Sequence, residues 1–218
     1  MIMELPKKFE IQSYAKVEDG KLFLYKLERF EDLMYELTYA CKKKKCVYCG
    51  KKLKRQNSTL DHRYPRDTGG ISITNNLFPC CSRCNTDKGG HTHKEYLQIR
   101  KLEKKEDKKR LNKQFMKHKE KIMHKIGYKL PKKWVTFMET NQIKYRKPEQ
   151  DLRGKKYHRI LIFYEKYNKL PRPIIVDINN RLLDGYNILL FANDMKIQTI
   201  PVIKLENVEV VDISKEEL

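Results

Sequence analysis

Hydrophobic positions follow two different periods in the first part of the chain. The apolar residues of 8–26 predict strands, and Asp19-Gly20 between YAKV and KLFLY predicts a hairpin turn. From Glu28 to about Lys44 the apolar positions recur at helical spacing, which predicts an amphipathic helix. The buried face of that helix is predicted to consist of Phe30, Leu33, Met34, Leu37 and Cys41.

The middle of the chain combines a turn-rich segment with a long helical pattern. Residues 46–90 contain many turn-forming residues, whereas Thr92 to Ile126 again has helical periodicity, with Gly127 as a C-cap. One apolar stripe of this predicted helix is formed by Leu111, Phe115, Ile122 and Ile126. The lysines between them are either solvated or laid against phosphates.

The last third of the chain predicts a separate small unit. Residues 128–157 contain Pro131, Pro148, Gly154 and many basic side chains, which is typical of a connection between domains. Beyond them, short apolar runs predict a mixed α/β unit over 158–218. Its elements are predicted at Lys156–Asn168 (helix), Pro173–Ile178 and Arg181–Leu183 (strands), Tyr186–Met195 (helix) and Thr199–Leu205 (strand). We therefore expect an α+β protein with segments 1–127, 128–157 and 158–218.

The distribution of charge favours a polyanionic partner. The 218 residues carry a formal charge of +20, of which residues 40–100 and 101–133 each contribute +10, whereas residues 158–218 contribute −1. Such an asymmetry predicts binding to the phosphates of nucleic acid. No apolar run approaches the roughly 18 residues that span a bilayer, and the N-terminal residues do not form a secretory signal. We expect a cytoplasmic protein without a membrane partner.

Six cysteines point to a metal site. Two Cys-x-x-Cys pairs, Cys46 with Cys49 and Cys81 with Cys84, are together sufficient for one tetrahedral zinc site. Cys80 offers a second register with Cys84, but Cys81 has the better spacing. The remaining Cys41 and Cys80 are expected to be packed thiols. Such a zinc site would stabilise a turn-rich segment that has little apolar core of its own.

An acidic residue and a histidine lie next to each other between the two cysteine pairs. Asp61 is suited to a hard divalent cation, and the neutral imidazole of His62 can take a proton from water near neutral pH. Together they fit the hydrolysis of a phosphodiester bond. Gly69-Gly70, Asn76 and Asn85 accompany them.

The run from Cys46 to Lys88 resembles the HNH endonuclease motif, with its ββα-metal fold. The resemblance implies that His62 is the general base and that Asp61 and Asn85 are ligands of the catalytic ion. It also implies that Asn76 bonds the backbone of the loop and aims His62. Because Asn85 offers an oxygen, Mg²⁺ or Mn²⁺ fits that site, and the thiolate-bound zinc is structural. A phage or mobile-element origin is common in this family.

Four basic residues beside the motif are candidates for DNA contacts. They are Arg63, Arg66, Arg83 and Lys88. Each could neutralise a phosphate, and we expect one or two of them to contact DNA directly. One such site cuts one strand, so cleavage of both strands needs a homodimer or two successive nicks.

The C-terminal unit resembles the ParB/sulfiredoxin-like fold. The resemblance rests on Pro173–Asp177, Leu183–Tyr186 and Ile200–Ile203. In that family a glycine and a following arginine hold nucleotide phosphates. Here the glycine is Gly185, but Ile188 stands where the basic residue is expected, so we predict no nucleotide binding. No cysteine lies in residues 158–218, which excludes sulfiredoxin chemistry for this unit. A generic α/β appendage is an equally open interpretation.

The sequence leaves two main functions open. The first is a metal-dependent HNH endonuclease that hydrolyses DNA. The alternative is a zinc-stabilised DNA-binding protein without catalysis, which has no need for an acid, a base and an amide in this order. A third hypothesis is a nuclease gated by a nucleotide bound to the C-terminal unit.

Overall fold

The computed structural model describes residues 1–11, 14–26, 30–145 and 153–211. Within them lie the helices α1 (Phe30–Cys41), α2 (Ser82–Lys88), α3 (His93–Lys101), α4 (Lys105–Lys125), α5 (Lys155–Tyr167) and α6 (Tyr186–Asp194). The strands are β1 (Phe9–Ile11), β2 (Ala15–Glu18), β3 (Lys21–Leu24), β4 (Ser58–His62), β5 (Leu77–Cys81), β6 (Thr136–Glu139), β7 (Ile174–Val176), β8 (Leu182–Asp184), β9 (Thr199–Lys204) and β10 (Val208–Val210). The fold class is α+β, as predicted.

The first sheet joins the two ends of the described chain. Its order is β1-β2-β3-β10, and β10 lies parallel to β3 with Val208 opposite Leu22. β2 and β3 form the predicted hairpin, in which Asp19 and Gly20 both have positive φ angles of 48° and 74°. These left-handed conformations suit the tight turn of a hairpin.

The largest core packs against that sheet. α1 buries Phe30, Leu33, Met34 and Leu37, which confirms the predicted helical face, whereas Cys41 is half-buried. The same cluster includes Ile71 and Leu77 from the middle of the chain and Ile203 from β9. The core is therefore shared between segments that are distant in sequence.

The predicted helix over 92–126 is two helices in the structure. Thr92 caps α3 through a reciprocal pair of hydrogen bonds with Glu95, and the chain becomes extended at Leu102 before α4 begins. On α4 the apolar stripe ends with Met123, which is buried, and not with Ile126, which is 47% exposed. The helix ends at Lys125, and Gly127 with φ 88° then turns the chain away.

The C-terminal sheet has the order β6-β9-β7-β8. β6 pairs antiparallel with β9, although it lies within the range predicted as a linker. Its hydrophobic pattern was weak because it is an edge strand whose Phe137 is 71% exposed. The division into three segments stays a prediction, but the sheet of the last unit begins before residue 158. Among the described helices, none combines the length and the apolar character that crossing a membrane requires.

Candidate functional site

Three consecutive elements hold the predicted site residues. β4 and β5 form an antiparallel hairpin, and α2 begins directly after β5. Asp61 and His62 are the last two residues of β4, and the pairing of His62 with Leu77 places Asn76 at the adjoining end of β5. Asn85 lies on α2. This is a ββα arrangement.

The four cysteines of the two pairs converge. The Sγ atoms of Cys46, Cys49, Cys81 and Cys84 all lie within 4.8 Å of one another, and those of Cys49 and Cys81 are 3.9 Å apart. Zinc–sulfur bonds of about 2.3 Å in a tetrahedron separate the sulfurs by about 3.8 Å. The cluster therefore has the size and ligand type of a four-thiolate zinc site.

Backbone hydrogen bonds close the turn that carries Cys46 and Cys49. The turn from Cys46 is closed by hydrogen bonds from Gly50 N to Cys46 O and from Cys46 N to Lys51 O, of 2.9 and 2.8 Å. Burial raises the pKa of Cys46, but backbone hydrogen bonds from Cys81, Cys49 and Tyr48 lower it to about 7. A thiol with this pKa is readily deprotonated, which is the form that binds a metal.

The other two cysteines stay outside the cluster. Cys80 is fully buried, its Sγ lies 3.3 Å from Thr59 Oγ1, and burial raises its pKa to about 12. Burial likewise raises the pKa of Cys41 to about 11. Neither sulfur belongs to the group of four that converge, so both behave as packed side chains. The geometry selects Cys81, and not Cys80, as the partner of Cys84.

Asn76 ties together the loop that follows His62. The fully buried side chain accepts a hydrogen bond from Tyr64 N at 2.9 Å and donates to Ile71 O at 2.8 Å and Tyr64 O at 3.2 Å. Gly70 belongs to the same loop, and a Cβ there would lie 1.7 Å from Tyr64 O. The loop thus needs both the amide and the glycine to keep its close backbone contacts.

The imidazole of His62 is held by a serine from that loop. Its Nε2 lies 3.0 Å from Ser72 Oγ, and Ser72 is only 5% exposed. Burial lowers the pKa of His62 to about 4, and the positive charges of Arg66 and Lys88 act in the same direction. The ring is therefore neutral at physiological pH and can accept a proton.

Asp61 lies deeper than its neighbour. It is 4% exposed, whereas His62 is partly exposed, because adjacent residues of a strand face opposite sides. Its Oδ2 accepts a hydrogen bond of 2.5 Å from the Tyr48 hydroxyl, and its Oδ1 forms an ion pair of 2.8 Å with Lys88. The carboxylate is thus fixed by two partners from outside its strand.

Lys88 is buried, whereas the predicted contact with DNA requires a side chain at the surface. The side chain is 1% exposed, and its ammonium also donates to the backbone oxygen of His62 at 3.0 Å. It belongs to α2, which packs against β4, and this packing encloses the lysine. Its ammonium group binds Asp61 and the end of β4 and is not exposed to a phosphate at the surface.

One open cleft brings together three of the four predicted catalytic residues. Asp61, His62 and Asn85 all line it, together with Arg66 and Lys88, in a cavity of roughly 340 Å³. Asn85 donates from Nδ2 to Thr59 Oγ1 at 3.1 Å, so its amide oxygen is the atom it would offer to a cation. Two oxygen donors of this kind suit Mg²⁺ or Mn²⁺. Asn76 does not line this cleft but lies behind it.

The three predicted arginines lie in different places. Arg66 is exposed, lines the cleft and forms an ion pair with Glu31. Arg63 is partly exposed, with its guanidinium 5.7 Å from the centre of the Tyr64 ring. Arg83 is exposed on the side of the cysteine cluster, where it lines a cavity with Cys49 and Cys81.

Three residues contact the site or its neighbours although nothing in the sequence predicted these contacts. Tyr48 lies in the turn between two cysteines, and nothing in its position indicates a bond to Asp61. Ser72 reaches His62 from ten residues away. His93, at the start of α3, has its Nδ1 3.3 Å from the Tyr48 hydroxyl and its ring centre 5.3 Å from that of Tyr48.

The comparison with protein families agrees with the resemblance of the cysteine-bearing segment to the HNH endonucleases. Residues 46–99 match the HNH endonuclease family. Among solved structures, the C2221 form of a Pnob8-like ParB-N domain is similar at 14% identity and a TM-score of 0.27, over 38% of this chain and 31% of that one. The chain thus spans less than a third of that structure's length. No curated protein matches the sequence.

Proposed function

We propose that this chain, which carries an HNH endonuclease domain at residues 46–99, is a metal-dependent endonuclease that hydrolyses phosphodiester bonds of DNA. The observation that carries the proposal is the meeting of Asp61, His62 and Asn85 in one cleft of a ββα frame. An imidazole and two oxygen donors at one surface are the groups that such hydrolysis requires.

His62 acts as the general base in this proposal. Its neutral ring accepts the proton of the water that attacks the phosphorus, and Ser72 fixes the orientation of the ring through Nε2. With Nε2 carrying the hydrogen and donating it to Ser72 Oγ, Nδ1 is the nitrogen that receives the proton. General bases of this kind contribute roughly 10²- to 10⁴-fold to the rate.

Asp61 and Asn85 would hold the catalytic Mg²⁺ or Mn²⁺. When bound, such an ion neutralises the charge that develops on the phosphate and the leaving oxygen. Tyr48 and Lys88 act on Asp61, because their bonds to its two oxygens hold the carboxylate in place. Asn76 acts further away, by keeping the loop that carries Ser72 in place.

The four cysteines would bind a structural zinc ion. A four-thiolate site leaves no open position for a substrate, so its effect is on folding. The core around it is small and includes Tyr48, Leu53, Tyr96 and buried cysteines. The zinc ion would stabilise this region, which holds the Tyr48 hydroxyl against Asp61.

DNA is the proposed substrate because residues 40–133 carry nearly all of the excess positive charge. Arg66, which lines the cleft, is the arginine best placed to contact a phosphate there. Arg63 would contact DNA outside the cleft, and Arg83 would contact it on the zinc side. One cleft cuts one strand, so cleavage of both strands would require a second copy of the chain or a second nick. We expect the protein to be nucleoid-associated or phage-encoded.

The second candidate function is a zinc-stabilised DNA-binding protein without catalysis. One observation favours it, since both oxygens of Asp61 already have partners in Tyr48 and Lys88. A divalent ion would have to share Oδ1 with the ammonium of Lys88 or displace it. A carboxylate oxygen has more than one lone pair, so sharing is compatible with the geometry.

A supercoiled plasmid distinguishes these two functions. With Mg²⁺ or Mn²⁺ the wild type is expected to produce open circles or linear DNA, and His62→Ala to be slower by roughly 10²-fold or more. His158→Ala is the matched control, because His158 is an exposed imidazole on α5. Binding without cut ends under any of these conditions would establish the second function, and equal cutting by His62→Ala would refute the assigned base.

A further inference from the structure

One side of α4 carries a regular row of lysines. Lys109, Lys113, Lys117 and Lys121 stand at every fourth position, and all four are exposed. We call these four residues the lysine row. With a rise of 1.5 Å per residue, successive members are about 6 Å apart along the axis and the row spans about 18 Å.

The lysine row is unfavourable for the isolated helix. Like charges four residues apart on a helix repel each other, by roughly 0.2–0.5 kcal/mol per pair. α4 contains nine Lys and Arg residues but three Asp and Glu residues. Within the part of the chain that the structure describes, its ion pairs are Arg110 with Asp107 and Lys119 with Asp67, and neither involves the row. The charge of the row is therefore left for a partner outside the chain.

The opposite side of α4 fixes the helix next to the cleft. Lys119 pairs with Asp67, which lines the cleft, and the Phe115 ring packs 6.0 Å from the ring of His91. At the far end, the ammonium of Lys169 donates to His124 O at 2.6 Å, and the His124 ring packs against Tyr167. The helix is thus held at two points, and the row lies on the side of the helix opposite Phe115 and Lys119.

We propose that the lysine row binds the phosphate backbone of duplex DNA beyond the cleft, so that a long duplex contacts the chain in two places. The proposal rests on the proposed function, because it takes the cleft to hold DNA. Evenly spaced ammonium groups suit a polymer with one charge per about 1.7 Å of helix axis. Lysine is a flexible point charge, so the row would add affinity without reading sequence.

The test removes the charge of the row and keeps the helix. The variant carries Lys→Gln at all four positions, since glutamine has a helix propensity close to that of lysine. The matched control carries Lys→Gln at the exposed Lys7, Lys8, Lys21 and Lys166, which lie outside α4. Thermal unfolding is expected to show no loss of stability in the row variant, because repulsion within the helix is relieved.

Binding is measured without added Mg²⁺, on hairpin-closed duplexes of about 6 and about 40 base pairs over a series of salt concentrations. On the long duplex we expect the row variant to bind at least about tenfold more weakly, with a salt slope lower by about three to four. On the short duplex we expect a much smaller change, and the control variant is expected to resemble the wild type on both.

Three results would overturn the proposal. They are a row variant that matches the control, an equal loss on both duplex lengths, and a row-dependent preference for duplex RNA over duplex DNA. Because these measurements do not depend on cleavage, they are separate from the test of the nuclease. A protein that binds through the row but never cuts would refute the nuclease alone.

Discussion

The cysteine cluster and the cleft are built on the same ββα frame, but they are positioned differently. Each short turn supplies two thiols, and a hydrogen bond from Val47 N to Pro79 O joins the first turn to β5, so that four sulfurs lie within 4.8 Å. Asp61 and His62 are neighbours on one strand, yet one is buried and the other partly exposed. Each is then fixed by a residue from another segment, Tyr48 for the carboxylate and Ser72 for the imidazole.

Tyr48 links the cysteine cluster to the cleft. Tyr48 lies between two cysteine ligands, and its hydroxyl reaches Asp61. Its ring also packs edge-on against Tyr96 at 4.9 Å, within the small core around the cluster. Loss of the zinc ion should therefore disturb the cleft, whereas changes in the cleft should leave the zinc ion bound.

Replacement of a zinc ligand is expected to have the largest effect, and it tests the role of the cysteine cluster. Cys49→Ser is expected to lose the zinc ion and the cooperative unfolding of residues 46–101, because metal binding in small zinc domains contributes roughly 10 kcal/mol or more. Zinc analysis and thermal unfolding measure both effects. Cys41→Ser is the control and should keep its zinc. A Cys49→Ser protein that is fully stable without zinc would contradict the role given to the cluster.

Tyr48→Phe tests the link between the regions with a smaller effect. The ring packing is kept, but the hydrogen bond to the buried carboxylate is lost, which costs roughly 1.5–3 kcal/mol for a charged acceptor. We expect a lower nicking rate, by about ten- to a hundredfold, with zinc content unchanged. Tyr39→Phe is the matched control, because the Tyr39 hydroxyl accepts its hydrogen bond from Ser58, which does not line the cleft. Equal effects of the two variants would show that Tyr48 does not act through Asp61.

The pH dependence of cleavage gives the smallest expected effect. A base works in its neutral form, so activity falls as pH drops through its pKa, and burial with Arg66 and Lys88 lowers the pKa of His62 to about 4. kcat/KM should therefore show no His62 titration between about pH 7.5 and about pH 5.5. Arg66→Gln should move the acid limb upward, and Arg83→Gln should not. A wild-type limb near the ordinary histidine pKa of about 6.5 would contradict the described environment.

Local patterns predicted the parts that depend on neighbouring residues. The Asp19-Gly20 hairpin, the buried face of α1 and the two thiols of each Cys-x-x-Cys turn all follow from short spacings. Long-range pairings were missed, such as β10 beside β3, because no local period indicates which strand a segment will join. β6 was missed because an exposed edge strand has little hydrophobic alternation.

The candidate site was likewise predicted only in part. The motif spacing predicted that Asp61, His62 and Asn85 lie close together, and all three line one cleft. It gave no indication that Lys88 would be buried against Asp61. A lysine beside a nucleic-acid motif has the same sequence signature whether it faces solvent or a carboxylate. Only the packing of α2 on β4 distinguishes the two cases.

The assignment of two different ions to the two regions is tested most directly by a Mg²⁺ titration of plasmid nicking at constant zinc content. Protein with one zinc ion per chain is expected to be inactive without Mg²⁺ and to reach a maximal rate as Mg²⁺ is added, with the zinc content unchanged. Full nicking by the zinc-loaded protein in the absence of any other divalent ion would contradict it.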